Sequence, residues 1–226
     1  MTDPSHLSDP LRAAAETMRQ VRERCVWSQQ ITHRDLVPYL IEESHEVIEA
    51  VETGDGADLR EELGDLLWQV LFHAAIAAHD GAFDIDDVAR GLTEKMVRRH
   101  PHVFSDAIAE TPEEVLVHWN AAKAAEKHER RSVLDGIPAG MPVLARAQKV
   151  LGRAVALPAV ERGSAATETK HPRDEPAPLP ASEIELGDAL LSLVAHARAN
   201  GWDAERALRE RLRALEDDVR AAESDA

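Results

Sequence analysis

Glu43 and Glu46 stand three residues apart in "EESHE", and Glu62 and Asp65 repeat that spacing in "EELGD". On an α-helix, residues i and i+3 project from one face, so each pair presents two carboxylates side by side. Four carboxylates crowded into one partly dehydrated spot repel one another and resist ionisation. Divalent cations remove that penalty, and a donor set made only of oxygen suits Mg²⁺, with Mn²⁺ as a substitute. The plainer reading is a solvated acidic stripe that also takes in Glu42 and Glu49. The repeat of the spacing on adjacent segments, each set among apolar residues, leaves both readings open.

A basic group follows. Lys95 and Arg99 are four residues apart in "EKMVRRHPHVF", and Trp119 and Lys123 share that spacing in "WNAAK". Cations so placed suit phosphate oxygens, and an indole beside a lysine suits stacking on a base. The bland alternatives are charges at a helix C-terminus for the first pair and a core anchor for Trp119. His45 points away from the Glu43/Glu46 face and reads as a surface residue. His100 and His102 flank Pro101 and read as a capping turn. Cys25 has no base near it in the sequence and reads as a small buried residue.

The elements that must position these groups are helical. Asp9-Pro10 is an N-cap followed by proline at N1, opening a helix toward Cys25. A connection through Trp27 leads to a helix from near Pro38 to Thr53-Gly54, and the next runs from about Asp58 to His79. This pair predicts an antiparallel hairpin with the acidic pairs facing each other. Val47, Ile48 and Val51 would pack against Leu63, Leu66, Leu67 and Val70, and Gly64 would allow close approach. Asp84 caps the next helix, which must stop near His100 because Pro101 follows. Thr111-Pro112-Glu113-Glu114 reads as a capping box opening a helix to about Arg131, and a shorter helix covers roughly 142–156.

Residues 158–182 are rich in Pro, Ser, Thr and charge without periodicity, which predicts a flexible linker. A further capping box, "SEIE", then opens two helices split near Asn200-Gly201. Within them "IELGDALLSLVAHAR" (184–198) echoes "EELGDLLWQVLFHAA" (61–75) without gaps, the mark of a partial duplication. No alternating strand pattern runs longer than a few residues. The reading is all-α.

Bulk properties agree. Of the 226 residues 44% are hydrophobic, ordinary for a globular chain, and aromatics make up only 4%. The 42 acidic against 26 basic side chains give a net charge of −16, which disfavours nucleic acid or an anionic membrane as partner. A single cysteine excludes an internal disulfide, and the N-terminus lacks an apolar signal region. The longest apolar run, residues 66–78, is too short for a bilayer. A cytoplasmic protein is expected.

Taken together, "EESHE" with "EELGD" resembles the EExxE…ExxD signature of the MazG family of nucleoside triphosphate pyrophosphohydrolases. "CVWSQQIT" (25–32), "RRHPHVF" (98–104), Trp119 with Lys123, and "LDGIPAGMPVLARAQKV" (134–150) extend the likeness over about residues 10–155. The resemblance implies a helical bundle of the all-α NTP pyrophosphatase type that forms a homodimer and works with Mg²⁺. It implies Glu43, Glu46, Glu62 and Asp65 as metal ligands, and Lys95, Arg99, Trp119 and Lys123 as contacts to the nucleoside triphosphate. The implied reaction is attack of water on the α-phosphorus, releasing a nucleoside monophosphate and pyrophosphate, in the service of clearing unwanted nucleotides.

The domain reading that follows is a catalytic segment at 1–157, a linker at 158–182 and a degenerate second segment at 183–226. Two departures from the family pattern stand out. Val26 and Ser28 replace the proline and aspartate of the family's CPWD, and the second copy keeps only Glu185 and Asp188. Aligned to a complete second unit, Ala214 and Asp218 stand where Lys95 and Arg99 would be, so this segment is expected to be catalytically dead and to support the dimer. Two rival readings differ in class. A di-iron carboxylate bundle would need Glu-x-x-His pairs, which neither acidic pair supplies, and a purely protein-binding helical module would need no basic face.

Overall fold

A computed structural model describes residues 9–126, 132–154 and 179–224, and among them every regular element is helical. They fall into two compact units, Met1–Glu126 and Lys127–Ala226.

The first unit is built on α1 (Pro10–Arg24), the short α2 (Val26–Gln30), α3 (Val37–Thr53) and α4 (Gly56–His79). Asp9 caps α1 by accepting from the amides of Leu11 and Arg12, as the Asp-Pro start predicts. The α3–α4 hairpin packs most extensively, and α1 lies on α4. Its turn has a local cause. Gly54 closes α3 in the left-handed region at φ 81°, and Asp55 accepts from Ala57 N at 2.8 Å and Asp58 N at 3.2 Å to open α4. The helix therefore starts at Gly56, ahead of the expected Asp58.

Met18, Leu36, Leu71, Phe72 and Ile76 form the core, with Trp68, Val21, Ile31 and Ile85 packed on it. Each such side chain contributes about 1.5–3 kcal/mol on burial, so the C-terminal half of α4 anchors this unit. The "CVWSQQ" turn is held by polar contacts. Ser28 is buried, and its hydroxyl donates to Val21 O at 2.8 Å, while Arg22 donates to the carbonyls of Ser28 and Ile31. Cys25 is exposed, contrary to expectation, because it forms the junction between α1 and α2. Amide donation from Ser28 holds its thiol below the usual range.

The hairpin's apolar residues divide in a way the periodicity did not separate. Val47, Ile48 and Leu66 are half-buried, but Val51, Leu63, Leu67 and Val70 are 60%, 50%, 36% and 41% exposed. Helix α4 is apolar on more than one side, and α1 and α3 cover only the side carrying Gln69, Phe72 and Ile76. A Cβ at Gly64 would meet nothing within 4 Å, so the expected close approach is not made within the chain. Helices α5 (Ile85–Arg99), α6 (Pro101–Phe104) and α7 (Pro112–Ala125) complete the unit, with α5 against α4 and α7 against α5. Asp84 and Asp87 make a reciprocal capping box on α5. At α7 the reach is one residue longer than the sequence suggests. Thr111 accepts from Glu114 N, but the Glu114 carboxylate accepts from Glu110 N.

In the second unit, α8 (Val143–Ala154), α9 (Glu183–Ala199) and α10 (Ala204–Ser224) pack on one another. Gln148 ties α8 to the turn that precedes α10, donating to Trp202 O and accepting from Ala204 N. Arg198 lies against Gly152, where a Cβ would sit 3.2 Å from its Nε. Helix α8, placed by the sequence reading with residues 1–157, thus finds its packing partners in α9 and α10. The expected boundary at 157 and residues 158–178 of the expected linker lie outside the described residues.

Candidate metal and phosphate site

The hairpin brings three of the four singled-out carboxylates together. Glu43 from α3 and Glu62 and Asp65 from α4 each place an oxygen so that all three lie within 4.8 Å of one another. No other group of three such side chains does so among the described residues. Glu46, one turn beyond Glu43, stands outside that triangle and is exposed, yet its charge acts on both Glu43 and Glu62.

Electrostatics follow from this crowding. Glu43 is pushed above the usual carboxylate range, first by loss of water and then by the charges of Asp65 and Glu46. Glu62 is raised as well, again by lost hydration first, then by Glu46 and Asp65. Two helices thus converge half-dehydrated carboxylates that repel. The donor set is all oxygen, of the kind that hard divalent cations take. Beside it, Gln69 is buried; its Nε2 lies 3.5 Å from Glu43 Oε1 and its own Oε1 has no partner. Acceptors without donors are rare in folded interiors. The residues fit a cation.

Sequence reasoning did not single out Gln69. The signal was present, since it follows Asp65 by four residues and Glu62 by seven and so shares their face of α4. His73, a further turn along, was also passed over. Its Nδ1 lies 2.7 Å from that of His33, its Nε2 is buried without a partner, and dehydration lowers its pKa.

The basic group assembles around Arg99. Its guanidinium binds Glu126 Oε2 through Nη2 at 2.5 Å and Nε at 3.1 Å, and lies 5.0 Å from the centroid of the Trp119 ring. Arg98 joins the same carboxylate at 2.9 Å. Flanked by two guanidiniums, Glu126 falls to about 2. Lys95 and Lys123 are half-buried on α5 and α7. His100 Nδ1 donates to Met96 O at the end of α5, and the ring packs edge-on to Trp119 at 5.2 Å, which agrees with a capping role. His102 stacks on His118 and keeps a buried, unpartnered Nδ1. Glu126, the partner that holds Arg98 and Arg99, was missed because it lies 27 residues from Arg99.

Comparison with known proteins gives a consistent set. The model of the MazG nucleotide pyrophosphohydrolase domain matches residues 31–104, which contain all four carboxylates together with Lys95 and Arg99. A nucleoside triphosphate pyrophosphohydrolase of Escherichia coli is 36% identical over 89% of this chain and 81% of its own length. The nucleoside triphosphate pyrophosphohydrolase/pyrophosphatase MazG of Thermotoga maritima is 38% identical over 94% of this chain and 84% of its own. An uncharacterized 26.1 kDa protein of Streptomyces cacaoi is 44% identical over 92% and 80%.

Proposed function

The chain belongs to the MazG nucleotide pyrophosphohydrolase family, and from that premise we propose that it hydrolyses nucleoside triphosphates to nucleoside monophosphate and pyrophosphate at the α3–α4 carboxylates. The observation that carries this reading is the convergence of Glu43, Glu62 and Asp65 from two helices. With Glu46 they would hold Mg²⁺. The bound cation would supply charge neutralisation for the leaving pyrophosphate and a lowered pKa for the attacking water.

The chain's own groups have distinct tasks in this reading. The four carboxylates orient the cation site and keep it anionic enough to take a positive charge. Lys95 and Lys123 supply charge for the triphosphate oxygens, and Trp119 an aromatic face for the nucleoside. Arg99 enters as a fork whose donors are satisfied by Glu126. Triphosphate oxygens would take over those donors, since a carboxylate and a phosphate accept from guanidinium in the same bidentate way.

The exposed stripe of Val51, Leu63, Leu67 and Val70 supports a second copy of the chain as the partner of this hairpin. Gly64, open in the single chain, falls within that stripe. Residues 183–226 read as a non-catalytic segment, since Glu185 is committed to a helix cap where its carboxylate accepts from Ala181 N at 2.8 Å. No helix among the described residues is long and apolar enough to cross a membrane. Pyrophosphate release over a panel of NTPs and dNTPs with Mg²⁺ tests the proposal. Absence of release from every nucleotide sinks it, and full activity in Glu46→Gln removes the ligand assignment.

A further inference from the structure

Gln69 is 5% exposed in a region of α4 otherwise occupied by Trp68, Leu71 and Phe72. A core position of this kind suits leucine or methionine, which fill the space without leaving an unpaired acceptor. The amide instead makes one long contact, Nε2 to Glu43 Oε1 at 3.5 Å, and leaves Oε1 buried and unpartnered. Glu43 reaches the site from the opposite helix, so among the described groups Gln69 is the α4 side chain that links it by a hydrogen bond to the face carrying Glu62 and Asp65.

Metal sites depend on groups that orient their ligands, because a carboxylate free to rotate binds more weakly than one held by a neighbour. We infer that Gln69 is a positioning residue of the cation site, acting through Glu43. Its Nε2 donates to Glu43 and sets which oxygen turns toward Glu62 and Asp65. With a hydrated cation bound, its Oε1, which has no partner within the chain, would accept from water at the site. This assignment rests on the metal reading of the four carboxylates and extends it to a residue outside their i,i+3 pattern. In the second copy the matching position is Ser192, whose hydroxyl is turned back to Asp188 O at 2.9 Å and holds no carboxylate.

Mn²⁺ alone is the probe, titrated without nucleotide into the full-length protein and followed by the electron paramagnetic resonance of the free ion. Gln69→Leu and Gln69→Met are expected to weaken Mn²⁺ binding by about 10- to 100-fold. Their thermal unfolding temperatures should be equal to or above the parent's, since both side chains suit an apolar site. Gln69→Met keeps the length of the side chain and carries the test should the leucine variant fold poorly. An affinity within about twofold of the parent in Gln69→Met overturns the inference, because the expected loss is at least tenfold. Glu43→Gln separates the two levels. If it too binds Mn²⁺ normally, the metal reading itself has failed. If it loses binding while the Gln69 variants keep it, only the positioning role falls.

Discussion

Glu62 and Glu185 occupy matching places in a stretch that the chain contains twice, "ELGDLLWQVLFHA" and "ELGDALLSLVAHA", and they do different work. Both copies fold as helix with one register. Leu71 and Ala74 are buried in α4, and the matching Val194 and Ala197 are buried in α9. Leu63, Leu67 and Val70 are exposed, as are Leu186, Leu190 and Leu193. The carboxylates differ. Helix α4 begins six residues before Glu62, so that residue projects from mid-helix toward Glu43 and is partly dehydrated. Helix α9 begins two residues before Glu185, which therefore sits in the first turn and spends its carboxylate on the amide of Ala181. The ExxD pair is thus only half of a site. In the proposed reading, what would make it a cation site is a second helix delivering an acidic partner.

The largest effect should come from breaking the first copy and not the second. Glu62→Gln is expected to lower kcat/KM for pyrophosphate release roughly 10²- to 10³-fold, the scale of losing one preorganised electrostatic group. Glu185→Gln should leave that activity unchanged within error. Equal losses in the two variants would show that the copies act together.

Cation binding sharpens the same contrast. Mg²⁺ at about 100 times its Kd stabilises the protein that binds it by about 2.7 kcal/mol, read as a rise in Tm that Glu62→Gln abolishes. The sign with pH follows from the raised carboxylates. Glu43 and Glu62 favour the fold while protonated, so their contribution is complete below the ordinary value of 4.5 and is lost as pH rises through their higher folded values. The metal-free protein should therefore lose Tm across that window, and the Mg²⁺-induced rise should grow over it. A pH-independent Mg²⁺ effect would mean that the cation binds elsewhere.

The exposed stripes offer a third comparison. Leu67→Asp should weaken the proposed homodimer by about 2 kcal/mol, roughly 30-fold in dissociation constant, the scale for a residue near the centre of an interface. Sedimentation equilibrium measures this, and Leu190→Asp in α9 is expected to give the smaller shift. The smallest effect concerns Glu126, whose depressed pKa contributes stability above 4.5 that is lost as pH falls through about 2. Glu126→Gln should lower Tm slightly at neutral pH, with the difference from the parent closing toward pH 2. A constant difference down to that pH would detach the effect from the Arg98 and Arg99 ion pairs.

Helix existence was legible because its causes are local. Asp9, Asp55, Asp84, Thr111 and Ser182 each accept from amides just ahead of them, and Gly54 and Gly201 end helices at positive φ. The pairing of Glu43 with Glu46, and of Glu62 with Asp65, was equally legible, since three residues on a helix always return to one face. Those facts determined the candidate ligands. Tertiary structure decided the rest: that Glu43, Glu62 and Asp65 form one cluster with Glu46 outside it, that Gln69 is buried beside Glu43, that Glu126 holds Arg99, and that Leu63, Leu67 and Val70 face outward. Each of these depends on the rotation of one helix about its axis relative to its neighbours. That rotation is set by which side chains, here Met18, Leu36, Phe72 and Ile76, fill a shared core, and no spacing within a single helix encodes it.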